Sequence, residues 1–337
     1  MKPNLFKLAT SELSQDSFIA WLLEWADSKN SQYNSSLHRV AQNFVRVLLG
    51  KNDYNISQVK AGRHWADIDV WAEINNEYFI LIEDKTNTCQ HSGQLERYKK
   101  LAEEHYSEKS IEICLIYLKT GNESKANIKE INDNGYKIVN RSILLNIFND
   151  INVNNDIFND FFDYISSIEN ETNMYIKLNN ITTFWKAGEG FYLKLQELIN
   201  EWSDWKYVSN YAGGFLGFWY HWTNIEDIGD IYIQIENSFE YGIKLLVKIQ
   251  NWNPELDILY KLLDELSPIA SKQGLIINKP SRFSPADTST VAVVQDAFKA
   301  DENDNFDMNH FINVIHNLEK TLDKYSKSIK QKNENGT

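Results

Sequence analysis

The stretch ADIDVWAEINNEYFILIEDKTNT, residues 66–88, leaves the chain few ways to fold. Two short apolar runs, 67–74 and 78–84, flank Asn75-Asn76, a pair that tolerates the positive φ of a tight hairpin turn. The second run, YFILIEDK, is nearly continuous in apolar residues and reads as a buried strand. Yet charge sits at one end of each run: Asp67 and Asp69 open the first, and Glu83, Asp84 and Lys85 close the second. Successive side chains on a strand point to opposite faces. Asp67 and Asp69 are therefore expected to share one face, Glu83 and Lys85 to share one, and Asp84 to point away. A hairpin closed on Asn75-Asn76 puts residue 69 opposite about residue 82, next to Glu83. Two carboxylates and an ammonium then converge where the sheet frays.

The flanking pattern extends this hairpin into an α/β order. Leu13, Phe18, Trp21, Leu22 and Trp25 recur at helical spacing over 11–27, with Ser11 as N-cap. A second helix is expected from Ser36 to Leu49, stopped by Gly50. A weak strand at 56–61 precedes the hairpin. Gln90 to Glu104 reads as a helix, ICLIYL (113–118) as a buried strand and YKIVN (136–140) as another. Residues 141–167 read as two helical pieces broken around NVNND. The sum is a small mixed sheet with helices around it.

The polar, asparagine-rich run IENETNMYIKLNN (168–180) reads as a domain boundary. It separates a first domain, residues 1–170, from a second at 181–330. The second half changes texture. WKYVSNY, FLGFWYHW, DIYIQIEN and YGIKLLVKIQ are short runs dense in aromatic and β-branched residues. Gly213-Gly214, Asp227 to Gly229 and Phe239 to Gly242 lie in or around the gaps between them. This predicts an antiparallel meander, followed by helices at about 254–272 and 307–329, hence an α+β domain. Trp202, Trp205, Trp219, Trp222 and Trp252 could stack on bases, but in so dense a meander they read first as core or interface. The domain is open to three roles: substrate recognition, partner binding or dimerisation.

Convergent carboxylates and a lysine suit metal-assisted phosphodiester hydrolysis. Hard oxygen ligands hold Mg²⁺ or Mn²⁺, which keeps waters and binds the scissile phosphate. A lysine beside it orients or helps deprotonate the attacking water and offsets charge in the transition state. The plainer reading is a solvated surface ion pair. Context weighs against that, because a buried strand delivers Glu83 and Lys85 and a helix opening GQLERYKKL follows directly. On that helix Gln94 and Tyr98, four apart, share a face and could bond a phosphate or hold the lysine; alone, they would read as a first-turn Gln and a half-buried Tyr.

Asp69, then Glu83-Asp84-Lys85 after a gap of 13 residues, then Gln94-Leu95-Glu96-Arg97-Tyr98, resembles the PD-(D/E)XK nuclease superfamily. The closest likeness is to its bacterial and phage branch with a RID…ENK…QLxxY pattern, over about Ser11 to Val139. The resemblance implies a restriction-endonuclease-like core, a central mixed sheet flanked by helices. It also implies Asp69 and Glu83 as metal ligands, the Asp84 carbonyl as a third, and Lys85 as the catalytic lysine. Gln94 and Tyr98 match the QxxxY element of the recombination-exonuclease branch. Glu12 matches the acidic residue that many members bring to the metal from the first helix, with Asp16 as a competing choice. Two departures stand out: Asp67 takes a position that is basic or small in related sequences, and no proline precedes the aspartate. Asp67 is thereby a further candidate ligand, or a replacement for Asp69.

Other chemistries find little support. Arg63 and His64 read as exposed loop residues, with phosphate contact as the alternative. The seven histidines form no HxH or HExxH, and Cys89 and Cys114 form no CxxC, against a zinc site or a disulfide framework. There is no GxSxG, Walker loop or dinucleotide fingerprint. No apolar run approaches the ~20 residues that cross a bilayer. The N-terminus lacks a signal peptide's apolar centre, so a cytoplasmic protein is expected. A net charge of -13 argues against a broad nucleic-acid-coating surface. It is compatible with a carboxylate metal site and phosphate contacts confined to one cleft.

The expectation is a Mg²⁺-dependent nuclease, DNA ahead of RNA as substrate, with conflict against phage or mobile elements as a setting. Its rival is a non-catalytic binding protein that keeps the nuclease fold; a third reading is a structural assembly protein, a homo-oligomer joined through the meander.

Overall fold

Asn75 and Asn76 both take left-handed backbone angles, φ 53° and 57°, and the Glu77 amide donates to the Ile74 carbonyl at 2.9 Å. The loop between the paired Ile74 and Tyr78 is three residues long, 75–77, one more than a two-residue turn. It is seen in a computed structural model that describes residues 2–88, 93–211, 213–226, 228–251 and 255–335. Cys89, Asp227, Trp252 and the first turn of the helix expected from Gln90 lie outside the described residues. The chain divides into two compact units, Met1–Glu123 with Asn127–Asn170, and Ser124–Ala126 with Glu171–Thr337. The division falls inside a helix rather than in a polar linker.

The first unit is a mixed sheet flanked by helices. Its strands, β1 (Val59–Trp65), β2 (Ile68–Ile74), β3 (Tyr78–Lys85), β4 (Glu112–Lys119) and β5 (Lys137–Asn140), lie side by side in chain order. The pairs β1–β2 and β2–β3 are antiparallel, and β3–β4 and β4–β5 are parallel. The helices are α1 (Leu5–Leu8), α2 (Glu12–Trp25), α3 (Ser35–Leu49), α4 (Gln94–His105), α5 (Lys125–Asp133), α6 (Arg141–Asn149) and α7 (Asp156–Asn173). The parallel pairs need crossovers, and α4 and α5 supply them.

Every residue of β3 is buried, which explains its near-continuous apolar run. Ile80 and Ile82 pack on the side of Phe18, Leu22 and Phe44 from α2 and α3, whereas Phe79 and Leu81 pack on the side of Leu95, Tyr98 and Ala102 from α4. A strand buried on both faces holds its C-terminal charged triplet in place from both sides.

Three expectations need correction. First, β2 begins at Ile68, so Asp67 lies in the β1–β2 turn, where Ala66 and Asp67 have φ 51° and 70°. Asp67 therefore shares no strand face with Asp69. Second, the β2–β3 register pairs Val70 with Ile82 and Ile74 with Tyr78; continued by one residue, it sets Asp69 opposite Glu83 rather than 82. Third, Arg63 and His64 belong to β1, not to a loop.

The second unit has the antiparallel meander, enlarged. Helices α8 (Leu178–Thr183) and α9 (Trp185–Leu198) precede β6 (Ser203–Val208), β7 (Phe215–Ile225), β8 (Gly229–Ser238) and β9 (Gly242–Gln250). After α10 (Leu256–Lys272), the strands β10 (Ile277–Asn278) and β11 (Thr288–Val294) extend the sheet to the order β10-β11-β9-β8-β7-β6, and α11 (Met308–Asn335) closes the unit. One sheet face packs on helices: Phe218, Ile233, Leu245 and Val247 share a core with Phe191, Leu262 and Phe311. No described helix in the chain is long and apolar enough to cross a membrane.

Glycine is required where the ends of β3 and β4 meet. A Cβ on Gly121 would sit 1.9 Å from the Thr86 carbonyl oxygen, a backbone atom that cannot swing aside. Gly121→Ala is expected to destabilise the protein by about 1–3 kcal/mol through overpacking. Denaturant titration checks this; an unchanged midpoint would mean that the two strand ends are free to part.

Candidate active site

Glu83 and Lys85 lie on the α4 face of β3, and Asp69 reaches them from the start of β2. Glu83 Oε1 is 2.5 Å from Lys85 Nζ, and Asp69 Oδ2 is 3.7 Å from the same nitrogen. Asp69 Oδ2 also accepts the Asp84 amide at 3.0 Å, tying β2 to β3 beyond the last regular pair. The Glu83 side chain is fully buried, that of Lys85 is 9% exposed and that of Asp69 is 23% exposed, so the cluster opens to solvent on the Asp69 side.

The electrostatics are those of a cation site. Neither Glu83 oxygen has a hydrogen bond of sound geometry, although both are buried. Burial, and then the Asp69 carboxylate, pushes the Glu83 carboxyl up to about 7. Lys85 is pulled down by burial, but Glu83, Asp69 and Glu12 outweigh this and leave its pKa raised. A buried carboxylate whose close partner is the Lys85 ammonium, set against a second carboxylate, fits a hard divalent cation. Among the described residues no group of three or more His, Cys, Asp or Glu side chains forms a cage. The side chains thus offer two carboxylates and leave room for water, backbone and ligand oxygens.

The remaining candidates divide between the two sides of β3. Gln94 and Tyr98 are on the α4 side. Gln94 Nε2 donates to the Tyr98 hydroxyl at 3.0 Å, and that hydroxyl donates to the Asp67 carbonyl at 2.7 Å. Their contact is with the turn that launches Asp69. On the other side the Asp84 side chain meets α2: Gln15 Nε2 donates to Asp84 Oδ1 at 2.5 Å. Asp16 bonds the same carboxyl. Burial, followed by Asp16, holds Asp84 well above the usual carboxylate range, and burial pushes Asp16 up to about 6. Glu12 Oε1 accepts the Thr86 amide at 2.9 Å and the Thr88 hydroxyl at 2.6 Å. Burial opposes ionisation of Glu12, but these two bonds and Lys85 prevail and lower its pKa.

Two participants carry weaker signals in the sequence. Gln15 has none, since an amide two turns before a tryptophan-rich helix face is unremarkable there. Lys119 is 2% exposed at the end of β4, in register with Lys85. Its Nζ donates to the Thr88 carbonyl at 2.6 Å and pairs with Glu123 at 3.2 Å. The Lys-x₃-Glu spacing is the trace it leaves.

A family model described as the PD-(D/E)XK nuclease superfamily matches residues 3–179. No curated protein and no solved structure gives a significant match.

The raised carboxyl has a consequence for stability. The unfolded chain ionises Glu83 near its ordinary value of about 4.3. Up to about pH 7 the folded protein keeps a proton that the unfolded chain has lost, so stability falls as pH rises through that window. Asp16 acts with the same sign. In EDTA, Tm is expected to drop between about pH 5 and 7.5, with an upper bound on the order of 3 kcal/mol from Glu83. Glu83→Gln should flatten the profile; an equally steep profile in the variant would remove Glu83 as its source.

Proposed function

Because the chain belongs to the PD-(D/E)XK nuclease superfamily, we propose that its first unit is a divalent-metal-dependent nuclease acting on DNA rather than RNA. The observation that carries this reading is the buried Glu83 carboxylate facing Asp69 and paired with Lys85. Asp69 and Glu83 are the side chains that hold Mg²⁺ or Mn²⁺. The Asp84 side chain is taken up by Gln15 and Asp16, so its share in binding the ion falls to its backbone carbonyl. An ion held there supplies Lewis acidity to the scissile phosphate and to a water.

Lys85 remains an ammonium under the combined pull of Glu83, Asp69 and Glu12. It therefore orients the attacking water by donating to a neighbouring oxygen and offsets the charge that builds at the pentavalent phosphorus. Glu12 acts one step back, fixing the Thr86 amide and the Thr88 hydroxyl so that the chain leaving β3 keeps Lys85 in place. Gln94 and Tyr98 do the same for Asp69 through the Asp67 carbonyl.

Cleavage of single- and double-stranded DNA with Mg²⁺, beside RNA of matched sequence, tests this. Lys85→Ala and Glu83→Ala are each expected to lose activity by about 10²-fold or more, and EDTA to abolish it. Equal cleavage by all three proteins would exclude the site. No Mn²⁺ or Mg²⁺ affinity by calorimetry, with the fold intact, would turn the reading to the non-catalytic binding protein.

A further inference from the structure

The meander has a second face. The register sets Lys206 beside Gly217, Trp219 beside Gln234, Lys244 beside Glu236 and Lys248 beside Tyr232. None of these belongs to the unit's apolar core, which takes the alternate residues. On this face rings and lysines are interleaved. Lys206 Nζ lies 5.6 Å from the centre of the Trp219 ring, and Lys244 Nζ lies 5.4 Å from that of Tyr241. Trp222 stacks on Tyr232 with centroids 3.9 Å apart and an interplanar angle of 13°, yet stays 40% exposed. Phe215 and Trp219 close over Gly217, where a Cβ would stand 3.2 and 3.1 Å from their rings.

The charges are unevenly matched. Lys248 pairs with Glu236 at 3.4 Å. Lys206 and Lys244 are exposed, and neither has a carboxylate within ion-pair distance among the described residues. Beside Phe215 a hollow of about 110 Å³ is lined by Asn210, Glu236, Ser238, Tyr241 and Lys244, a mixed set of donors and acceptors next to a ring.

We propose that this face binds single-stranded DNA, with bases stacking on Trp219, Trp222 and Tyr241 and phosphates meeting Lys206 and Lys244. The identity of the ligand as nucleic acid rests on the nuclease reading above; the surface itself does not. Every base offers a π-face, so a row of rings holds a single strand without regard to sequence, whereas a duplex hides those faces. A protein partner would favour a continuous apolar patch depleted in lysine, and here the rings are separated by lysines. Asp204, opposite Trp219, and Glu236, opposite Lys244, also lie on this face, so what marks the approach of a phosphate in a chain of net charge -13 is the two lysines held in no ion pair rather than a positive field.

The test is fluorescence anisotropy of a labelled oligo-dT with the full chain in EDTA, where cleavage is off, together with quenching of tryptophan emission. Trp222→Ala is expected to weaken binding by about five- to one-hundred-fold. Lys206→Gln with Lys244→Gln, both exposed and harmless to the fold, should weaken it too and lower the salt slope by about 1.4. Duplex DNA and oligo-U of equal length should bind more weakly. Failure of the full chain to bind oligo-dT, affinity untouched by the lysine pair, or preference for duplex or RNA would overturn the proposal. So would sedimentation showing a dimer broken by Trp222→Ala, which makes the face a contact between copies. Loss of cleavage with binding intact would sink the nuclease reading alone.

Discussion

Asp69 and Glu83 face each other across the β2–β3 register, and much of the first unit is arranged so that two like charges stay there. Left to themselves, two carboxylates at the end of a hairpin would splay into water, because bringing them together and burying one is unfavourable. What prevents this is the order of the chain on both sides. The Asn75-Asn76 turn sets the register, and the Asp84 amide captures Asp69 Oδ2. Helices pack on both faces of β3 and keep Glu83 buried, so the cluster meets solvent through Asp69. The ammonium of Lys85, 2.5 Å from Glu83, offsets part of the repulsion. Burial, and then the remaining repulsion from Asp69, hold the Glu83 carboxyl up at about 7.

The opposite face of β3 repeats the theme with a different result. Asp84 and Asp16 are also buried carboxyls in contact, but here Gln15 donates to the pair and Thr120 in turn donates to Gln15 at 2.7 Å. A pair of acids whose pKa values are both raised keeps one proton between them and serves as a hydrogen-bonded tie with a single negative charge instead of two. One strand thus carries an acid pair on each face. The pair backed by an amide is closed, and the pair backed by a lysine is open. That difference follows from the neighbours rather than from the acids.

How much of this the residues announced depends on how local the cause is. The hairpin was legible because Asn-Asn between two apolar runs acts within four residues. The fully buried β3 was legible from its composition, and the meander from its aromatic and β-branched runs. Asp67 misled, because strand alternation was carried one residue too far. Asp69 sits on β2, but Asp67 falls where the chain needs two residues at positive φ, and nothing in the letters Ala-Asp signals such a turn as clearly as Asn-Asn does. Helix α5 and strand β11 were missed for another reason: KANIKEIND buries only Ile131 and shows little apolar periodicity, and TSTVAVV opens on three polar residues. Gln15 meets Asp84 from 69 residues away and Lys119 meets the Thr88 carbonyl from 31, and of the two only Lys119 leaves a local trace, its i,i+4 pairing with Glu123.

The acidity of the chain bears on nucleic acid differently once the site has geometry. A net charge of -13 sets the long-range field, and that field repels DNA at low salt. Within a Debye length the arrangement of single groups takes over, and there the balance is not uniformly negative. The Asp69–Glu83 pair is offset by Lys85 and by any cation it accepts, and on the meander Lys206 and Lys244 form no ion pair among the described residues. An acidic surface with a few discrete positive points favours ligands that can thread between repulsive regions over those that lie flat across them. A flexible single strand meets that condition better than a rigid duplex, whose phosphates are spaced by its own helix and cannot be rearranged to suit the protein.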